Sequence, residues 1–240
     1  MNCGPIAEGF TLDLSRFFRD LQIPYVRLHS PNFPGLDCVG FEQVFPDFAA
    51  DADNPANYHF RRTDDYIAAV LAVGAKPIYG LGYGNRKDVL ASDYRKINVP
   101  PEDPEKWARV CVNIVRHYNE GWANGFHHNI QYWEVWNEPD AKNFWDGTLE
   151  QYADFYSIVA TALKKHDSRL KVGGPAISHD LKFLDRFLAV CRQRNLPLDF
   201  CSWHCYTERP ATVLNRAREV QRLLDHHGFT TAENQLNEWS

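Results

Sequence analysis

The sequence predicts an α/β chain folded as a (β/α)8 barrel, with the eighth strand and most of the first absent. Three observations carry this expectation. Short runs rich in β-branched and aromatic residues alternate with amphipathic segments of helical length, an order that implies a parallel sheet with helical crossovers. The strand-like runs are evenly spaced, and the length of 240 residues is close to the ~250 of a complete barrel. The residues able to do chemistry collect at the C-terminal ends of the strand runs, the edge where ligands bind in parallel α/β sheets. A doubly wound sheet is the alternative that periodicity leaves open.

The elements follow in order along the chain. A helical pattern over 11–22 (LDLSRFFRDL) precedes the strand run YVRLH at 25–29. A helix over 62–74 leads to PIYGLG at 77–82, and a helix over 104–119 leads to IQYWEVWNE at 130–138. In that third helix Trp107, Val110, Cys111, Ile114 and Val115 recur at three- and four-residue steps, one helix face. Pro104 suits its first turn and Gly121 its end. Helices over 149–166, 180–193 and 212–227 then alternate with LKVGGP at 170–175, DFCSWHCY at 199–206 and QLNEW at 235–239. The connections 30–61 and 83–103 are long and rich in Pro, Gly, Asn and Asp, as functional walls or lids are. With no internal repeat, low-complexity tract or linker, residues 1–240 read as one domain.

Composition removes several classes of function. The net charge is −5 and there is no basic run, whereas nucleic-acid binding needs clustered Lys and Arg. No apolar stretch approaches the ~20 residues that span a bilayer, so no membrane partner is expected. The opening MNCGPIAEG lacks a basic start and an apolar core, and reads as no signal peptide. Six cysteines are too sparse for a disulfide scaffold, and Cys111, Cys191, Cys201 and Cys205 sit in apolar contexts that suit reduced core thiols. A cytoplasmic location is the expectation. No CxxC pair is present, so a structural zinc site is not expected.

Two glutamates at strand ends carry the chemistry. Cleavage of a glycosidic bond with retention needs two carboxyl groups ~5–5.5 Å apart, one a nucleophile and the other a proton donor. Glu138 and Glu238, at the ends of two barrel strands, meet that requirement. The segment YWEVWNEPD at 132–140 resembles the acid/base strand of clan A glycoside hydrolases, and LNEWS at 236–240 resembles their nucleophile strand. NCGP at 2–5, YVRLH at 25–29, HYNEGWANG at 117–125, VGGP at 172–175 and DFCSWHCY at 199–206 narrow the resemblance to glycoside hydrolase family 39, the family of β-xylosidases and α-L-iduronidases. The resemblance covers nearly the whole chain in order.

It implies a retaining hydrolase of a terminal sugar in an oligosaccharide or glycoside, without metal or cofactor. Glu138 becomes the acid/base and Glu238 the nucleophile. Asn137 contacts the sugar 2-hydroxyl; Arg27, His204 and Tyr206 line the floor around the nucleophile; His29 contacts a sugar hydroxyl. Family frequency puts β-D-xyloside first and α-L-iduronide second. The blander reading of His204 is a satisfied core histidine, and Tyr206 carries a similar alternative. Glu134 alternates with Glu138 at period two, so it is expected to point to the same barrel interior, where it reads as a buried hydrogen-bonded strut. Trp133 and Trp136 fit core and sugar platform equally well. The pairs His127–His128 and His226–His227 read as surface, and GLGYGN at 80–85 is only loosely a nucleotide loop.

The same comparison leaves no sequence for the eighth strand, or for the β-sandwich that usually follows the barrel in this family. A truncated barrel of low solubility and weak or absent hydrolysis is therefore the expectation for residues 1–240. A sugar-binding or inert barrel fragment is the different-class alternative. A metal-dependent hydrolase lacks a visible ligand cluster.

Overall fold

Helix ends are marked by side chains that can satisfy the orphan amides of a first turn, and these set the frame. The computed structural model describes residues 4–7, 11–28, 40–82 and 98–239. Among them, β1 (Ile6–Ala7) and β2 (Leu12–Asp13) form a small antiparallel pair. Helix α1 is only Ser15–Asp20, shorter than the 11–22 expected. The Asp13 carboxylate accepts the Ser15 amide at 2.8 Å, a local bond that starts the helix late and leaves Leu12 free to pair as strand.

Strand β3 (Tyr25–Leu28) follows, then a one-turn helix α2 (Phe41–Val44) and α3 (Arg61–Ala72). Next come β4 (Lys76–Leu81), α4 (Pro104–Glu120), β5 (Tyr132–Val135) and α5 (Leu149–His166). The chain continues through β6 (Lys171–Ile177), α6 (Leu181–Gln193), β7 (Phe200–Cys205), α7 (Pro210–His226) and β8 (Glu233–Trp239). Asp103 caps α4 by accepting the Lys106 amide, Pro104 fills its first position, and Gly121 ends it at φ 77°. Thr148 and Gln151 cap α5 reciprocally, and Lys164, Lys165 and His166 occupy its last turn, where the helix dipole favours cations.

The six long strands make one parallel sheet in the order β3-β4-β5-β6-β7-β8, each paired with its neighbour in sequence. That order belongs to a barrel arc; a doubly wound sheet would reverse direction at a switch point. Helices cover the outer face, and the expected α/β barrel fold is what the described residues adopt, with six strands in one parallel sheet. Burial is extensive along the strands: every residue of β5 and β7 is buried, as continuous apolar runs in parallel sheets require.

An aromatic cluster packs around Trp136, just past the C-terminal end of β5. Trp136 packs on Trp107, Trp145 and Phe155 at centroid separations of 5.6, 5.1 and 5.5 Å. Gly82 reaches this cluster with φ 113°, and a Cβ there would lie 2.5 Å from the Trp136 ring. Trp133 and Trp136 are both core, with indole N–H groups bonded to the carbonyls of Ile130 and Phe144, so neither is a sugar platform. The thiols of Cys111, Cys191, Cys201 and Cys205 are buried and free, and burial pushes that of Cys201 up to about 12. In the 30–61 connection, residues 40–61 include α2 and a 3-10 turn at Pro55–Asn57; residues 30–39, and 83–97 of the second connection, lie outside the described residues. Among the described residues no helix is long and apolar enough to cross a membrane.

Candidate active site

Three strand ends bring the two glutamates together by departing from regular strand geometry. β5 stops at Val135, and Trp136 and Glu138 take positive φ of 71° and 46°. Left-handed backbone in a bulky residue is strained and persists only where its surroundings over-determine it. Here the surroundings are the Trp136 cluster and a bond from the Glu138 amide to the Ala176 carbonyl at 3.0 Å. Ala176 itself has φ 54°, at a register shift of β6 against β7. On β8 the register against β7 slips so that His204 pairs with Glu238 and Asn237 is passed over. Such a bulge re-aims side chains beside a site. It lets two consecutive residues, Asn237 and Glu238, both reach the same polar network.

Around this point the side chains converge. Glu138, His204 and Glu238 each present a ligand atom within 4.8 Å of the others. His204 is buried between the two carboxylates, with Nδ1 2.7 Å from Glu138 Oε1 and Nε2 3.7 Å from Glu238 Oε2. Arg27, on β3, donates from Nη1 to Glu238 Oε2 at 2.9 Å, from Nη2 to Asn137 Oδ1 at 2.7 Å and from Nε to Glu134 Oε2 at 2.6 Å. Tyr206 donates its hydroxyl to Glu238 Oε1. With 55% of its surface exposed, Tyr206 stands at the mouth of the site, whereas the sequence reading put it on the floor. The residues of the floor are Arg27, Glu134, Asn137 and His204, all at 2% exposure or less. His29 lies outside the described residues.

The loop that carries Glu138 is anchored from both sides. The Asp140 side chain is buried, and its carboxylate accepts the amides of Ser178, His179 and Asp180 together with the Ser178 hydroxyl, at 2.9–3.0 Å. Behind β5, the Tyr152 hydroxyl donates to the Val135 carbonyl at 2.9 Å, and burial pushes that phenol well above its usual range, so it remains a neutral donor. Asp140 was missed by sequence reading, and Asn237 was placed with Glu238 at a strand end but given no role. The signal available was their adjacency to Glu138 and Glu238, but only the bulge and the 178–180 loop give them a role.

The His204 and two-glutamate set has the donor types of a metal centre. Both Glu238 oxygens are already met by protein donors, and the Arg27 guanidinium puts a permanent positive charge where a cation would gain most from binding.

The model of glycosyl hydrolases family 39 matches residues 9–223. The chain belongs to that family. It is 34% identical over 196 residues, 77% of its length, to a β-xylosidase of Geobacillus stearothermophilus, and 33% identical over 163 residues, 64% of its length, to one of Caldicellulosiruptor saccharolyticus. These matches take in 36% and 32% of the two relatives, so the chain spans about a third of the curated proteins it resembles. Among solved structures, a glucosidase from Croceicoccus marinus superposes over 100% of this chain and 50% of its own, with a TM-score of 0.84 and 30% identity. A family 39 β-xylosidase from Caulobacter crescentus, at 22% identity over 95% of this chain and 49% of its own, shares the fold with a TM-score of 0.71.

Proposed function

We propose that this family 39 chain carries the active site of a retaining glycoside hydrolase acting on terminal β-D-xylosides, with Glu238 as nucleophile and Glu138 as acid/base. The observation that supports it most is the separation of the two carboxylates, whose nearest ligand atoms fall within 4.8 Å with His204 between them. Retaining enzymes hold their carboxyl groups ~5–5.5 Å apart, whereas inverting ones leave ~6.5–9.5 Å for a water. In the first step a Glu238 oxygen attacks the anomeric carbon while the glycosidic C–O bond breaks. The departing oxygen takes the proton of Glu138, leaving a glycosyl ester on Glu238. In the second step Glu138 removes a proton from water, the water oxygen attacks the same carbon, and Glu238 leaves as carboxylate.

The remaining residues divide by what they touch. Arg27 and Tyr206 hold one Glu238 oxygen each, which fixes the attacking carboxylate in direction. Asn137, with its Oδ1 taken by Arg27, keeps its amide N–H groups for a sugar hydroxyl, in line with a contact to the 2-position. His29 is proposed to meet a further hydroxyl. The xyloside assignment leans on the names of the two curated relatives. A glucoside is the second reading, favoured by the structural neighbour named a glucosidase; α-L-iduronide comes after it. A panel of p-nitrophenyl β-D-xyloside, β-D-glucoside and α-L-iduronide tests the choice. The expected order of kcat/KM puts xyloside first. In a protein extended to the length of the curated relatives, turnover of none of them, or of the iduronide alone, contradicts the reading.

A further inference from the structure

Glu134 takes no part in the reaction just described, yet it is fully buried beneath it. Its Oε2 accepts Arg27 Nε at 2.6 Å and its Oε1 accepts Asn237 Nδ2 at 2.6 Å. The strands on either side set glycines in register with it, Gly80 on β4 and Gly173 on β6. Both Asn-Glu dipeptides, 137–138 and 237–238, are thereby tied to one buried ion pair: Asn137 and Glu238 through Arg27, Asn237 through Glu134.

A guanidinium is planar, with donors in fixed directions. Holding Nε therefore decides where Nη1 and Nη2 point. Without an anchor at Nε, the long Arg27 side chain could follow the Glu238 carboxylate wherever it went. With Glu134 in place the fork is stationary, and Glu238 and Asn137 are registered against it. The Glu134 charge also offsets that of Arg27; a neutral residue there would let the guanidinium grip the Glu238 oxygen more strongly and blunt its attack.

We infer that Glu134 is a positioning residue for hydrolysis, fixing Arg27 and Asn237 so that Glu238 and Asn137 meet the sugar in register. This rests on the two-glutamate reading above. The test follows trapping of the protein by a 2-deoxy-2-fluoro-β-D-xyloside with a dinitrophenolate leaving group, which forms the ester without needing the acid. Wild type should label one Glu238 per chain. Glu134→Gln keeps the shape and removes the charge; it should label to the same stoichiometry but about 10- to 100-fold more slowly, with the half-saturating concentration changed less than about threefold. If Glu134→Gln does not fold, Glu134→Asp, with the carboxylate set back one methylene, should show the same slow, complete labelling. A wild-type rate in the variant, incomplete labelling at a normal rate, or failure of both variants to fold would each reduce Glu134 to a structural strut and overturn the proposal. A wild type that hydrolyses xylosides but ignores Glu134→Gln removes this inference alone, whereas a wild type that neither labels nor turns over removes the two-glutamate reading beneath it.

Discussion

Glu138 reaches the site through its own left-handed backbone and that of Trp136, a conformation that a bulky residue takes up only under constraint. Glu238 is held differently, by Arg27 on one oxygen and Tyr206 on the other. One glutamate is thus placed by its main chain and the other by its neighbours. The two should fail differently when replaced. Glu238→Gln removes the proposed nucleophile, and turnover of every substrate should fall to background. Glu138→Gln removes only proton transfer, so aryl glycosides with good leaving groups should keep their first step while poor ones lose it. Azide, which needs no general base, should then restore turnover to the Glu138 variant. Steady-state rates across leaving groups of graded acidity check this; equal loss with every leaving group in both variants would show the roles misassigned.

At the scale of elements, the sequence reading and the structure part company where backbone geometry is irregular. The alternation of strand and helix was legible because buried parallel strands and amphipathic helices leave strong periodic traces; β7 and α5 fall within a residue of their expected bounds. Glu134 was expected to share the barrel interior with Glu138 by period-two counting. It does lie inside, but the strand ends at Val135, and Glu138 arrives by two positive-φ residues instead. The bulge that brings Asn237 into the network, and the Asp140 anchor to the 178–180 loop, depend on register and long-range contact, which no local pattern records.

The opposite end of the strands holds a second cluster, where Lys171 pairs with Glu233 and both bond the Tyr132 hydroxyl. Burial pushes the Glu233 carboxyl up, but the bonds from Lys171, Gln235 and Tyr132 outweigh it and hold the group below its ordinary 4.5. A carboxyl whose value is lower in the folded state stabilises the fold above the unfolded value and loses that contribution as pH falls through the folded one. Thermal melts should therefore show wild type more stable than Glu233→Gln at neutral pH, with the gap closing below about pH 4.5. A gap independent of pH would mean that the Glu233 charge adds nothing.

On the scale of the molecule, β3 and β8 are the outer strands of the six-stranded sheet among the described residues, yet their side chains meet, Arg27 on one bonding Glu238 on the other. A cavity of about 380 Å³ lies between them, lined in part by Tyr25, Arg27, Gln235, Asn237 and Trp239. The network of Arg27, Glu134, Asn237 and Glu238 spans this gap, since Arg27 comes from one outer strand and Glu238 from the other. The site is thus a property of the curled sheet as a whole, and no single βα unit contains it. Its central claim, that two carboxylates so close together work by double displacement, has a stereochemical consequence. Proton NMR of p-nitrophenyl β-D-xyloside during turnover resolves the first-formed sugar before it mutarotates. β-Xylose, with retained configuration, is the expected first product; α-xylose as the first product would contradict double displacement.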